Sequence, residues 1–233
     1  HQRIALAPSF GVSEIPSEIA PLYSRWLNGF ATLSIREEAG ARVIKELTGR
    51  DAMVLIDPTL VLDGSEWRAL ASDSLRPSVP YVVTYFLGRL SADRKTYIAE
   101  LARKHDLSVV SLMDRANPTI YQAGPAQFLD LLDNARCVFT DSFHGSVFAL
   151  LFEVPLVMFD REDSQLSMSS RLDTFVHTFG LQDRVYPRCQ PTKILEADYS
   201  YAASVLERKR VEFLSYLDEE LKRATGSNPD NRL

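Results

Sequence analysis

The sequence contains only two cysteines, Cys137 and Cys189, and none of the common nucleotide-binding or hydrolase signatures. Two cysteines provide neither a disulfide framework nor the ligand set of a zinc site. Without a GxGxxG, Walker or GxSxG motif, dinucleotide-binding, NTPase and serine-hydrolase assignments have no support. We therefore expect no cofactor and no metal. Cys137 lies in a strand-like run and is predicted to be a small buried hydrophobic residue.

The chain also lacks a basic charge excess and long apolar runs. Its formal net charge of −5 provides no polyanion-binding field, so we expect no nucleic-acid partner. No apolar run reaches transmembrane length, and we expect a cytoplasmic protein. An anionic substrate would need a local cluster of arginines and helix N-termini.

Strand-like and helix-like segments alternate along the 233 residues, which predicts an α/β fold with parallel sheets. Residues 71–80 have the composition of a linker, so we predict one domain over residues 1–75 and a second over 76–233. The strands predicted in the first domain cover residues 4–7, 30–33 and 53–56. Residues 92–104 predict a helix, Pro125 is predicted to begin another, and residues 199–223 predict a long C-terminal helix. Together these features predict two Rossmann-like lobes that face a cleft, with a first lobe that is incomplete because it has only three strands.

The most informative segment is Thr140–Ser146, with the sequence TDSFHGS. It follows an apolar run that predicts a buried strand and precedes one that predicts a helix. This arrangement places backbone N–H groups at the carboxyl edge of a sheet, where α/β proteins bind ligands. His144 adds a side chain of the type that titrates near neutral pH. The simpler alternative is that Asp141 or Ser142 caps the helix and that His144 is an ordinary surface residue.

Arg36 is the second candidate. Ser34 and Glu37 have the spacing of a capping box, which places Arg36 in the first turn of a helix that ends near Gly49. There a guanidinium and free N–H groups would converge on an anion. The alternative is a solvated charge cluster, since Glu37 and Glu38 follow directly.

Arg171 is the third candidate, because it begins a predicted helix after the polar loop of residues 160–170. This loop follows the next predicted strand after the histidine motif, so its arginines are candidates for the same site. The alternative is that these are surface arginines.

Other titratable residues are weaker candidates. His105 and His177 each lie near a predicted helix end, where a structural role is the simpler interpretation. Asp57 and Asp141 each follow a strand, but no ligand spacing supports a metal there.

Taken together, these segments resemble those of the polysaccharide pyruvyl transferase family. The resemblance is carried in order by residues 7–13, 33–38, 56–60, 83–88 and 139–146, and it continues through Ser170-Arg171 and residues 180–184. It implies a GT-B-like fold. It also implies transfer of a pyruvyl group from phosphoenolpyruvate to a sugar of a surface or exported polysaccharide, usually as a ketal.

The resemblance implies catalytic roles for His144, as general acid and base, and for Arg36, as a clamp on the anionic donor. The substrate-binding residues expected beside them are Ser9, Gly11, Ser142, Gly145, Ser146 and Arg171. The acceptor implied is a sugar or a lipid-linked oligosaccharide, which leaves peripheral membrane association open. The opening half of the family's first domain, with its glycine-rich loop, is expected to be missing here.

Two other functions remain open. The same architecture serves glycosyltransferases that use nucleotide sugars, and a non-catalytic relative would bind glycan. The pyruvyl transferase interpretation makes one spatial prediction, that Arg36 and His144 line a shared crevice.

Overall fold

The structure, a computed structural model, describes residues 3–162 and 170–225. Contacts between residues group them into two compact units. The first unit contains residues 3–61, 170–179 and 202–225, and the second contains residues 62–162 and 180–201. The predicted domain boundary between residues 75 and 76 stays a prediction, and the grouping by contacts does not coincide with it. The GT-B-like arrangement of two lobes also stays a prediction.

Strands and helices are numbered along the chain. The strands are β1 (Ser34–Ile35), β2 (Met53–Val54), β3 (Tyr81–Tyr85), β4 (Ser108–Ser111), β5 (Val138–Thr140) and β6 (Leu156–Met158). The helices are α1 (Ala20–Asn28), α2 (Glu38–Thr48), α3 (Gly64–Arg68), α4 (Ala92–Lys104), α5 (Pro118–Tyr121), α6 (Pro125–Asp133), α7 (Phe143–Leu151), α8 (Ser170–Phe179) and α9 (Ser200–Thr225). Short 3₁₀ turns cover Pro58–Leu60, Asp73–Leu75 and Gln182–Arg184.

The second unit contains a parallel sheet of four strands in the order β4-β3-β5-β6. Strands β5 and β6 are buried along their whole length and β3 at every residue but Tyr85, as expected for a parallel sheet covered on both faces. Apolar side chains such as Val82, Phe139 and Val157 pack with Ile98 of α4 in one core cluster. The prediction of an α/β fold with parallel sheets is therefore confirmed, and the sheet is consistent with a Rossmann-like fold.

Cys137 belongs to the same core. It is fully buried, as predicted, and burial raises the pKa of its thiol well above the ordinary value. Cys189 lies in the same cluster, and both are free thiols. The burial of Cys137 confirms its interpretation as a small buried hydrophobic residue.

Several helix boundaries lie where the sequence predicts them, in two cases at a proline or a glycine. Helix α4 has the predicted bounds, and Pro125 begins α6. Gly49 ends α2 in the left-handed conformation, with φ of +71°, which a glycine adopts at little cost.

The first unit has a smaller sheet than predicted. Strands β1 and β2 pair in parallel, and Ile4 forms a single bridge with Thr32. The predicted strands over 4–7 and 30–33 are therefore wrong in extent. Residues of α9 complete this unit, since the Tyr216 hydroxyl donates to the carbonyl of Ala5 at 3.1 Å.

The predicted capping box at Ser34 and Glu37 is wrong. The Ser34 hydroxyl lies in β1, where it donates to the carbonyl of Ala5 at 2.6 Å and accepts from the amide of Ala7 at 2.8 Å. Helix α2 begins only at Glu38. A capping box does occur at Asp63 and Glu66, where it begins the short helix α3 that the sequence analysis missed.

Among the residues described, no helix has both the length and the apolar character needed to cross a membrane. Most of the predicted polar loop over 160–170 lies outside the described residues.

Candidate active site

The TDSFHGS segment lies at the point where the strand order of the second unit reverses. The chain runs from β3 to β4 on one side of β3 and then crosses to β5 on its other side. In open α/β sheets, ligands bind outside the carboxyl ends of the strands at such a point. Asp141 follows β5 there, and Leu87 and Gly88 follow β3.

Asp141 organises this edge of the sheet. It is 7% exposed, and its carboxylate accepts from the amides of Leu87 at 2.7 Å and Gly88 at 2.8 Å. Arg161, which follows β6, donates its Nε to the same carboxylate at 3.3 Å. One buried carboxylate therefore joins the loops that follow three strands. Burial, together with the nearby charge of Asp141, raises the pKa of Tyr85 above its ordinary value.

Thr140 and Ser142 set the start of α7. The Thr140 hydroxyl donates to the carbonyl of Tyr85 at 2.6 Å and accepts from the amide of Ser142 at 2.9 Å. Ser142 is the N-cap, and its hydroxyl accepts from the amide of Gly145 at 3.3 Å. The capping role in the simpler interpretation of Ser142 is therefore present in the structure.

Helix α7 begins earlier than predicted, so Gly145 lies in its first turn and does not form a separate turn. Its amide and that of Ser146 both donate to Ser142. A Cβ on Gly145 would lie 2.7 Å from the Thr140 hydroxyl oxygen, which explains why this helical position carries a glycine. Direct contacts of Gly145 and Ser146 with substrate stay predictions.

His144 is the second residue of α7 and its side chain is exposed. Its ring lies 5.3 Å from that of Phe143 in an edge-to-face arrangement. An imidazole at the first turn of a helix, on the ligand-binding edge of a sheet, can exchange protons with a bound molecule. Exposure leaves the surface-residue alternative open as well, so the catalytic role stays a prediction.

The first unit holds the other predicted residues. Arg36 lies between β1 and α2, outside the helix, so its predicted place in a first helical turn is wrong. Its guanidinium forms an ion pair with the buried carboxylate of Asp57, which also accepts from the amide of Thr59 at 2.8 Å. The pair fixes the direction of the Arg36 side chain, which is 18% exposed.

Glu37 is fully buried, which excludes it from a solvated charge cluster. Its Oε1 accepts from the Ser9 hydroxyl at 3.0 Å and from the amides of Phe10 at 2.9 Å and Gly11 at 3.4 Å. Glu37 therefore shapes the loop that carries two predicted substrate-binding residues. No local pattern predicted this role, although the segments 7–13 and 33–38 that carry the family resemblance contain Glu37 and its partners.

Arg171 lies in the first turn of α8, as predicted, next to the same loop. A Cβ on Gly11 would lie 3.8 Å from Nη2 of Arg171. The first unit therefore brings together Ser9, Gly11 and Arg171. The second unit brings together Ser142, His144, Gly145 and Ser146. The crevice predicted to be shared by Arg36 and His144 stays a prediction.

No cluster of three or more metal-ligating side chains occurs within residues 3–162 and 170–225. The two aspartates considered as ligands, Asp57 and Asp141, are engaged with Arg36 and Arg161 respectively.

Residues 1–164 match the family model described as polysaccharide pyruvyl transferase. The chain belongs to the polysaccharide pyruvyl transferase family. Membership makes it a transferase enzyme of polysaccharide pyruvylation in general. The match includes the segments around Arg36 and His144, while Arg171 lies beyond it. No curated protein matches the chain.

Proposed function

We propose that the chain transfers the pyruvyl group of phosphoenolpyruvate to a sugar of a surface or exported polysaccharide, forming a pyruvate ketal and releasing inorganic phosphate. The observation that carries the proposal is the position of the TDSFHGS segment at the switch point of a parallel sheet, in a chain that belongs to this family.

The chemistry needs proton transfers that a histidine can perform. A proton is added to the methylene carbon of phosphoenolpyruvate, and the first sugar hydroxyl attacks the neighbouring carbon and loses its proton. The bond from that carbon to the phosphate oxygen then breaks, and a second hydroxyl attacks and loses its proton. The proposal assigns proton delivery and removal to His144, a role that typically contributes about 10²–10⁴-fold.

The donor carries a carboxylate and a phosphate, and arginines bind both groups with paired N–H donors. Arg36 is the proposed clamp, supported by the buried Asp57 that orients it. Arg171, beside Gly11, is proposed as a second clamp. Ser142, Gly145 and Ser146 are proposed to contact the donor beside His144. Arg36 and His144 lie in different compact units, and the proposal assigns both to one reaction.

Ligand-induced thermal shifts separate this proposal from its alternatives. A ligand that binds only the native state raises apparent stability according to its concentration relative to Kd. We expect phosphoenolpyruvate to raise the melting temperature, while nucleotide sugars do not. A thermal shift with a nucleotide sugar but not with phosphoenolpyruvate would support a glycosyltransferase. No thermal shift with either type of ligand would favour the non-catalytic glycan-binding alternative.

The role of His144 is tested by His144→Gln in the same chain. We expect turnover to fall by about 10²–10⁴-fold, while the thermal shift with phosphoenolpyruvate is retained. His105→Gln is the matched control, because His105 is an exposed histidine that caps α4 in the same unit. Near-normal turnover in His144→Gln would remove the proposed role.

A further inference from the structure

An open cavity of about 390 Å³ lies between α2 and α8 in the first unit. None of the site residues predicted from the sequence lines it. All but one of its lining residues, Ala39, have a polar or charged side chain. Its volume falls within the range of about 300–1,000 Å³ typical of small-molecule sites, which combine apolar surface with a few well-placed polar groups. The cavity is therefore suited to a hydroxyl-rich molecule.

The two helices present these side chains at a helical spacing of four residues. Glu38 and Arg42 lie one turn apart on α2, and Ser170 and Thr174 lie one turn apart on α8. The Thr174 hydroxyl accepts from the amide of Glu38 at 3.2 Å and donates to the carbonyl of Ser170 at 2.9 Å. These contacts hold the two walls in register, so the cavity has a defined shape.

Ser170, one of the lining residues, carries a buried hydroxyl that the described residues leave unsatisfied. It is 7% exposed, and its hydroxyl has no hydrogen-bond partner among the described residues. Buried hydroxyls are normally satisfied by protein, water or ligand. Ser170 lines the cavity, and rotation about its Cα–Cβ bond would bring the enclosed hydroxyl to a group bound there.

The charges of the cavity argue against an anion. Glu38 and Asp173 provide two carboxylates, against the guanidinium of Arg42 and the imidazole of His177. A polyanion such as phosphoenolpyruvate gains little from this balance. Carboxylates, a guanidinium and hydroxyls together offer the acceptors and donors that adjacent sugar hydroxyls need.

We propose that this cavity binds a neutral sugar through its hydroxyls and that it is the acceptor site. The assignment to the acceptor rests on the proposed pyruvyl transfer. The predicted donor residues are close along the chain, because Arg171 follows Ser170 and Arg36 precedes Glu38 by two residues. Ser13, which also lines the cavity, follows Gly11 by two residues in the loop beside Arg171.

The experiment follows His177 by NMR, because it is one of only four histidines and its ring protons report on the cavity. Its resonance is assigned with His177→Gln. The full chain is titrated with methyl α-D-mannopyranoside and methyl β-D-galactopyranoside, and separately with phosphoenolpyruvate. We expect at least one glycoside to shift the His177 resonance. Asp173→Asn is expected to weaken the binding of that glycoside by about tenfold to a hundredfold, because a hydrogen bond to a charged acceptor is lost.

Asp93→Asn is the matched control, since Asp93 is an exposed aspartate in the first turn of α4, as Asp173 is in α8. We expect it to leave glycoside affinity unchanged. The proposal is overturned if neither glycoside moves the His177 resonance, if phosphoenolpyruvate moves it more strongly, or if both variants weaken glycoside binding equally. A glycoside response without any thermal shift from phosphoenolpyruvate would support the sugar site and refute the proposed donor.

Discussion

Asp141 accepts a hydrogen bond from the amide of Gly88 at 2.8 Å, across 53 residues of sequence, and so joins the end of β5 to the end of β3. The same carboxylate accepts from Leu87 and from Arg161. Two amides and a guanidinium converge on a group that is almost excluded from water. The loops around His144 therefore depend on one charge, and its removal affects them together.

Asp141→Asn should lower both stability and turnover. The amide side chain has one acceptor oxygen in place of two, so one of the two loop amides loses its partner. Leaving a buried donor unsatisfied costs about 1–3 kcal/mol in the free energy of unfolding. Urea denaturation measures this loss, and phosphate release measures turnover.

Asp114→Asn is a suitable control for this change. The Asp114 carboxylate accepts from the amide of Ala116 at 2.9 Å in an exposed local turn. We expect a loss of less than about 0.5 kcal/mol there, as is usual at the surface. Equal effects of the two substitutions would contradict the organising role of Asp141.

Glu37→Ala should release the loop that carries Ser9 and Gly11. The substitution removes the common acceptor of the Ser9 hydroxyl and the Phe10 amide, and hydrogen bonds to a charged group contribute about 1.5–3 kcal/mol each. We expect the free energy of unfolding to fall by about 1.5–3 kcal/mol. We also expect the KM for phosphoenolpyruvate to rise more than the KM for the acceptor. Glu46→Ala, at an exposed position of α2, the helix that follows Glu37, should change neither.

Tyr81→Phe should stabilise the protein. Tyr81 is 2% exposed, and no described residue is a hydrogen-bond partner for its hydroxyl. Removing this unsatisfied group should raise the free energy of unfolding at neutral pH by about 1 kcal/mol. Burial, with a smaller contribution from the charge of Asp130, raises the pKa of Tyr81 to about 12.

Because the pKa of Tyr81 is raised, the difference in free energy of unfolding between Tyr81→Phe and the unmodified chain depends on pH. The unfolded chain ionises Tyr81 near its ordinary pKa of 10.0, before the folded chain does. The stability that the neutral side chain contributes is complete below pH 10 and is lost as pH rises towards about 12. The advantage of Tyr81→Phe over the unmodified chain should therefore grow across this window in urea denaturation. Tyr121→Phe, at an exposed position, should show no such growth.

Local signals in the sequence predicted several helix boundaries correctly. Helix α4 and the start of α6 followed from apolar spacing and from Pro125, and Gly49 marked the end of α2. These features act over a few residues, which a sequence pattern contains directly. The sheet edge that carries His144 was predicted for the same reason.

Contacts between distant residues were not predictable in this way. Ser34 has capping-box spacing to Glu37, but tertiary contacts to Ala5 and Ala7 use its hydroxyl within a strand. Glu37 next to Glu38 resembles a surface cluster until its partners, 26–28 residues away, are known. Both errors arise because tertiary hydrogen bonds override local preference.

Gly145→Ala tests whether close packing at the start of α7 supports the reaction. Alanine in a helix is favoured over glycine by about 1 kcal/mol. Here the added Cβ would lie 2.7 Å from the hydroxyl oxygen of Thr140, and overpacking of this kind costs about 1–3 kcal/mol. Because Thr140 is anchored to Tyr85, we expect the overpacking to win, with lower stability and turnover. At Gly124 the Cβ would meet only the flexible end of Gln127, so Gly124→Ala should be tolerated, and equal losses would refute the packing argument.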